Sequence, residues 1–197
     1  MKLYDISQEV MGCVVYPGDP APSATKISDM EQGALYNLTT LSMCAHNGTH
    51  VDAPYHFIEE GKSIEQIPLT QFVGYAYVVA HQGVVTEEDA KTILAMAQKQ
   101  GTDCHKRILI KGKAEVSLSA AEVFAKAQIY LLGNESQTVG PENAPMAVHK
   151  VLLGQEVVLL EGIRLGEVPE GMYWLFAAPL NCKGFDGAPC RAMLMSL

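Results

Sequence analysis

Two periods of hydrophobic and polar residues alternate along this chain. Near the start, KLYDI (2–6) and YNLTTLSMC (36–44) mix apolar and β-branched residues as strands do. Between them YPGDPAPS (16–23) is loop chemistry, because Pro17-Gly18-Asp19-Pro20 cannot continue a regular element. From residue 75 onward strand and helix patterns take turns. YAYVVAH (75–81) predicts a strand, and TEEDAKTILAMAQKQ (86–100) predicts an amphipathic helix with Thr86 as N-cap and Gly101 as terminator. RILIK (107–111) predicts a second strand of this region. Ser119 and Glu122 have capping-box spacing at the start of AAEVFAKA (120–127). IYLLG (129–133) and EVVLLEG (156–162) read as strands on either side of a short helix in APMAVHKVLLG (144–154). MYWLFAAPL (172–180) and CRAMLMSL (190–197) return to strand-like runs, with Trp174, the one tryptophan, expected in the core. Strand-helix alternation of this kind predicts a single α/β domain over residues 1–197, a largely parallel or mixed sheet covered by helices. No internal repeat or low-complexity linker interrupts it.

Composition narrows the function classes. Hydrophobic residues make up 48 % of the 197, enough for a substantial core and too many for a disordered chain. A net charge of -8 argues against nucleic acid and anionic membranes, which need a basic footprint. No apolar stretch approaches a membrane span, and MKLYDISQEV lacks the apolar run of a signal peptide, so a cytoplasmic protein is expected. The five cysteines are odd in number and dispersed, which predicts free thiols rather than a disulfide framework or zinc knuckle. Cys44, beside the segment discussed next, carries no local sign of activation and is expected to be a buried thiol.

That segment is AHNGTHVDAPYHF (45–57), which holds His46, His50 and His56, three of the six histidines, and Asp52. A straight strand would set His46 and His56 about 33 Å apart at ~3.3 Å per residue, beyond any single site. A helix would face His50 and Asp52 in different directions. A third solution uses the turn residues. Asn47-Gly48 can bring His46 back toward His50, and His50 and Asp52 then share one face of a short extended piece. Pro54 keeps Ala53 out of the helical region and can redirect the chain before His56. Two imidazoles and a carboxylate so converged are a good ligand set for zinc, manganese or a similar divalent ion. A further histidine nearby suits proton transfer, with an unperturbed pKa of about 6.5. Of the others, His81 ends an apolar strand and His105 lies in a polar turn, and neither carries a functional signal. Spacing alone leaves His149 open between a half-buried helix residue and a ligand.

The stretch HNGTHVDAPYH resembles the H-x-G-T-H-x-D-x-P-x-H signature of the cyclase family, which includes bacterial kynurenine formamidases and isatin hydrolases. The resemblance extends to YDIS with YPGDP at the start, and to LEGIRLGEVPEGMYWLFAAPL and GFDGAPCRAML in the last third, so it covers nearly the whole chain. It implies the swivelling β/β/α fold, a mixed sheet or partial barrel with outer helices, commonly assembled as a homo-oligomer (dimer or tetramer). It implies two zinc ions, with manganese also suited. By position, His46, His50 and Asp52 match ligands of one ion, Asp52 bridges to the second, and His149 and Glu161 complete that second site. His56 matches the histidine that gives and takes the proton. Tyr16 stands where the formamidases have a tryptophan that helps enclose an aromatic substrate. Gly133-Asn134-Glu135-Ser136 also departs from the family pattern, and both departures are expected to touch the substrate pocket.

The activity implied is metal-dependent hydrolysis of a small amide or formamide C–N bond, with an N-formylkynurenine-like molecule as the leading substrate. The alternatives are a cyclic amide or lactone hydrolase or cyclase, which can work with fewer metals, and a metal- or ligand-binding relative without turnover. His56, which metal storage would not need, weighs against the last.

Overall fold

A computed structural model describes residues Met1–Ser196. In chain order the strands are β1 (Leu3–Asp5), β2 (Ser23–Ser28), β3 (Leu38–Ser42), β4 (His50–Asp52), β5 (Val73–Ala80), β6 (Gly83–Val85), β7 (Arg107–Lys111), β8 (Ala114–Val116), β9 (Leu131–Asn134), β10 (Val158–Glu161), β11 (Gly171–Phe176), β12 (Gly187–Pro189) and β13 (Met193–Ser196). The α-helices are α1 (Glu87–Gln98), α2 (Leu118–Lys126) and α3 (Met146–Leu153). Among the described residues, nine strands form one sheet in the order β1-β13-β11-β5-β7-β9-β10-β4-β12, which curls into a half-barrel. The expected mixed α/β architecture is present. No helix among the described residues is long and apolar enough to cross a membrane.

The centre, β5-β7-β9-β10, is parallel because α1, α2 and α3 each make the crossover between successive strands. Strand period two then divides the interior. Tyr77, Val79, Ile108, Ile110, Leu132 and Leu159 face the helices, where they meet Ile93, Phe124 and Leu152. Their neighbours Ala76, Val78, Leu109, Leu131, Val158 and Leu160 fill the opposite face with Leu175 and Leu194. Antiparallel strands flank the parallel centre, with β11 against β5 and β4 against β10. The β4–β10 register sets His50 opposite Glu161.

Thr86 caps α1 as expected, in a reciprocal box with Asp89, and the turn after the helix closes with Gly101 at φ 76°. The cap of α2 differs from the Ser119–Glu122 expectation. Ser117 is the N-cap and its hydroxyl accepts from Ala120 N, so the helix begins earlier and Ser119 lies within its first turn. Two serines two residues apart both have capping chemistry, and Ser117 wins because it directly follows β8. Trp174 is likewise not core. It is half-buried on the outer side of β11, edge-on to Tyr75 with ring centroids 4.9 Å apart, because β11 sends Tyr173 and Leu175 inward instead.

Candidate metal centre

The segment 45–57 folds through local chemistry. The Asn47 side-chain oxygen accepts from Cys44 N at 2.9 Å, and Asn47 N donates back to Cys44 O, clamping a turn that Gly48 completes at φ 69°. Thr49 Oγ1 donates to the carbonyl of Gly162 at 2.8 Å and accepts from Gln8 N, which ties the start of β4 to the residue after Glu161. Ala53 is extended and Pro54 opens a 3-10 turn ending at His56. Ala53 N donates to the carbonyl of Asp186, drawing the loop before β12 alongside. Gly187 must lack a side chain, since a Cβ there would come within 2.8 Å of His46 Cε1 and 2.7 Å of Val51 O.

His46, His50, Asp52, His56, His149 and Glu161 all converge on one cavity of about 590 Å³. Asp52 Oδ1 lies 2.9 Å from His46 Nδ1 and 3.3 Å from His50 Nε2. Its other oxygen lies 3.6 Å from His149 Nε2. Glu161 repeats the arrangement, with Oε1 at 3.2 Å from His149 Nε2 and Oε2 at 3.6 Å from His50 Nε2. Two groups of donors therefore form, His46-His50-Asp52 and Asp52-His149-Glu161, each with its ligand atoms within 4.8 Å of one another. The far nitrogens are pinned as well. His50 Nδ1 pairs with Gly48 O at 3.1 Å, His149 Nδ1 with Pro145 O at 2.9 Å, and His46 Nε2 with Asp186 Oδ2 at 2.8 Å. His56 Nδ1 shares that same Asp186 oxygen at 3.1 Å.

Charge in the cavity is balanced by the imidazoles. Burial disfavours a charged His46, but the charge of Asp52 and the hydrogen bond to Asp186 outweigh it and push the ring up to about 11. His50 and His149 also resist burial through Asp52 and Glu161, each pushed up to about 9. Burial would neutralise Asp52, yet His46 and His50 hold its carboxyl well below the usual range. Two buried carboxylates aimed at three imidazole nitrogens, with no Lys or Arg lining the cavity, form a donor set that fits divalent cations.

Tyr16 stands at the rim, its hydroxyl donating to Glu142 O at 2.8 Å, with Phe57 and Met146 on the wall. Cys44 is half-buried and lines the cavity, where a buried thiol was expected; the 44–47 turn holds it at the rim. Asn134 and Glu135 do not line it. Asn134 is buried with its amide on Thr138 O, and Glu135 accepts from Gly112 N and Leu165 N, so both serve the backbone. The polar wall at that point is Gln137 and Thr138 instead, and the Thr138 hydroxyl is buried without a partner. Asp186 was missed. Its only sequence signal is a lone Asp-Gly in GFDGAP, 130 residues from His56.

Known proteins resemble this chain over nearly its whole length. The chain is 34% identical over 213 residues to the kynurenine formamidase of Salinibacter ruber, covering 98% of this chain and 97% of that one. It is 30% identical over 210 residues to the kynurenine formamidase of Erythrobacter litoralis, covering 100% and 94%. A solved structure described as a potential metal-dependent hydrolase with cyclase activity superposes with a TM-score of 0.80 at 29% identity, over 98% of this chain and 96% of that one. The model of the Cyclase family matches residues 4–141, and the chain belongs to that family.

Proposed function

We propose that the chain is a metal-dependent amidohydrolase that cleaves the C–N bond of a small amide or formamide, an aryl formamide of the N-formylkynurenine type above all. The observation that carries this reading is the pair of buried carboxylates, Asp52 and Glu161, each with one oxygen toward His50 and the other toward His149. His46, His50 and Asp52 would hold one zinc ion, and Asp52, His149 and Glu161 would hold the second, with manganese as the other ion the donor set suits. Ions bound there would lower the pKa of water to about 7 and would polarise the substrate carbonyl.

The chain's own residues supply binding and proton transfer. Hydrolysis adds oxygen to the carbonyl carbon and a proton to the departing nitrogen, which is too basic to leave unprotonated. His56 takes the proton that the attacking water releases and passes it to that nitrogen, because its Nδ1 is committed to Asp186 and Nε2 is its free nitrogen in the cavity. Tyr16, Phe57 and Met146 offer an aromatic ring apolar contact. A homodimer or homotetramer fits the β2–β3 hairpin, a separate two-stranded sheet that exposes Ile27, Leu38 and Leu41.

Elemental mass spectrometry on protein purified without chelator, with aryl formamide turnover before and after chelation, tests the reading. The expected result is about two equivalents of zinc per chain and an activity that dies on chelation and returns with metal. Turnover that survives complete metal removal would sink it.

A further inference from the structure

Every imidazole in the metal-ligand set has its far nitrogen held from behind, but the holders differ in kind. For His50 and His149 the holder is a neutral backbone carbonyl, Gly48 O and Pro145 O. For His46 it is a carboxylate, Asp186, and the same oxygen also takes His56. Asp186 lies just before β12, whose Gly187 pairs with Asp52, so the sheet itself fixes where this carboxylate stands. Its Oδ2 lies 2.8 Å from His46 Nε2 and 3.1 Å from His56 Nδ1, and a carboxylate oxygen accepts from both N–H groups.

Resting on the amidohydrolase reading above, we infer that Asp186 is a positioning residue that couples the metal site to the proton-transfer histidine through one oxygen, Oδ2. Toward His46 it fixes the tautomer, because accepting from Nε2–H leaves the lone pair on Nδ1, the nitrogen that faces Asp52 and the first metal position. Toward His56 it accepts from Nδ1–H, which leaves the Nε2 lone pair for the substrate side. One anion thereby sets the proton arrangement of two rings whose centroids are 4.2 Å apart. Asp186, His46 and His56 also lie close enough to act as a metal-ligand group themselves. The geometry disfavours this, since His46 Nδ1 already meets Asp52 and its only other nitrogen would have to leave its partner.

The test compares Asp186→Asn, which preserves shape and removes the charge, with wild type in three measurements. In chelator competition, zinc affinity at one of the two equivalents should fall roughly 10- to 100-fold. At saturating zinc, kcat on an aryl formamide should stay below wild type while KM changes little. Nitrogen-15 spectra of the zinc-loaded protein should show His56 as the Nδ1–H tautomer in wild type and a tautomer mixture in the variant. Wild-type zinc affinity in the variant overturns the hold on His46; a wild-type kcat and tautomer overturn the hold on His56. A third zinc equivalent in wild type that vanishes in the variant would make Asp186 a ligand and overturn the positioning role. If wild type cleaves no aryl formamide, the amidohydrolase reading fails alone, because the zinc competition and the tautomer still decide the role of Asp186.

Discussion

Strands β4 and β10 bury two sets of side chains to the same depth by opposite means. Val51 and Leu160 are 0 % exposed and lie in the apolar core on one face of the sheet. His50, Asp52 and Glu161, at 1–2 % exposure, alternate with them on the other face. The apolar pair is held by area removed from water, worth roughly 25 cal/mol per Å². The polar set gains nothing from burial and is held by its polar partners: each carboxylate oxygen meets an imidazole nitrogen, His50 Nδ1 meets Gly48 O, and Glu161 also accepts from Val139 N. Deleting an apolar member should therefore cost stability alone, whereas deleting a polar member should cost the function of its partners as well.

Asp52→Ala should have the largest effect. It removes the one carboxylate shared by both donor groups and takes from His46 and His50 a partner at 2.9 and 3.3 Å. Breaking a buried pair costs ~3–5 kcal/mol, and the low end applies here because the orphaned imidazoles can release their protons. Metal binding and turnover should both be lost, as read by elemental analysis and activity. A variant that retained two equivalents of metal would contradict the shared role.

Leu160→Ala, one residue from Glu161 but facing the other way, should cost a comparable ~2–5 kcal/mol in denaturant unfolding through transfer and cavity terms. Its metal content should remain that of wild type. Loss of metal along with stability would mean that the two faces of β10 are not independent.

His56→Ala sharpens the contrast from the functional side. His56 is only half-buried on a 3-10 turn and belongs to neither of the two principal donor groups, so stability should change by less than ~1 kcal/mol. Metal content should hold while kcat falls about 10²- to 10⁴-fold. Absence of metal from this variant would remove the proton-transfer role.

The same contrast explains what could be read from residues alone. Helix α1 and strand β7 were legible because each carries a full period of apolar residues and, for α1, a cap. The three-residue strands β6, β8 and β12 were not, since a run that short has no period and forms only because a neighbour offers a ladder. In the site, His46, His50, Asp52 and His56 stood out because turn residues bring them together within one short segment. His149 and Glu161 came only with the family resemblance, because a helix residue and a strand end twelve apart share no local signal. Asp186 lies in GFDGAPCRAML, where the resemblance assigned it no role, and its place beside His46 and His56 depends on β12 pairing with β4 across more than a hundred residues.

An ion pair at the surface marks the weak end of the comparison. Arg191 bonds Asp5 in a two-nitrogen contact that ties the end of β1 to the approach of β13, with both side chains substantially exposed. The Arg191 hydrogen bond outweighs burial and holds the Asp5 carboxyl below its ordinary value. A carboxyl depressed in the folded state contributes stability above its unfolded pKa and loses it as pH falls through the folded value. Arg191→Ala should therefore lower the unfolding temperature slightly at pH 7, and the difference from wild type should close as the pH drops below the Asp5 carboxyl's range. Water and salt screen this pair, so its deletion should be the smallest of these effects and should shrink further at high ionic strength. A difference that persisted unchanged in acid would mean that Arg191 acts through packing rather than through Asp5.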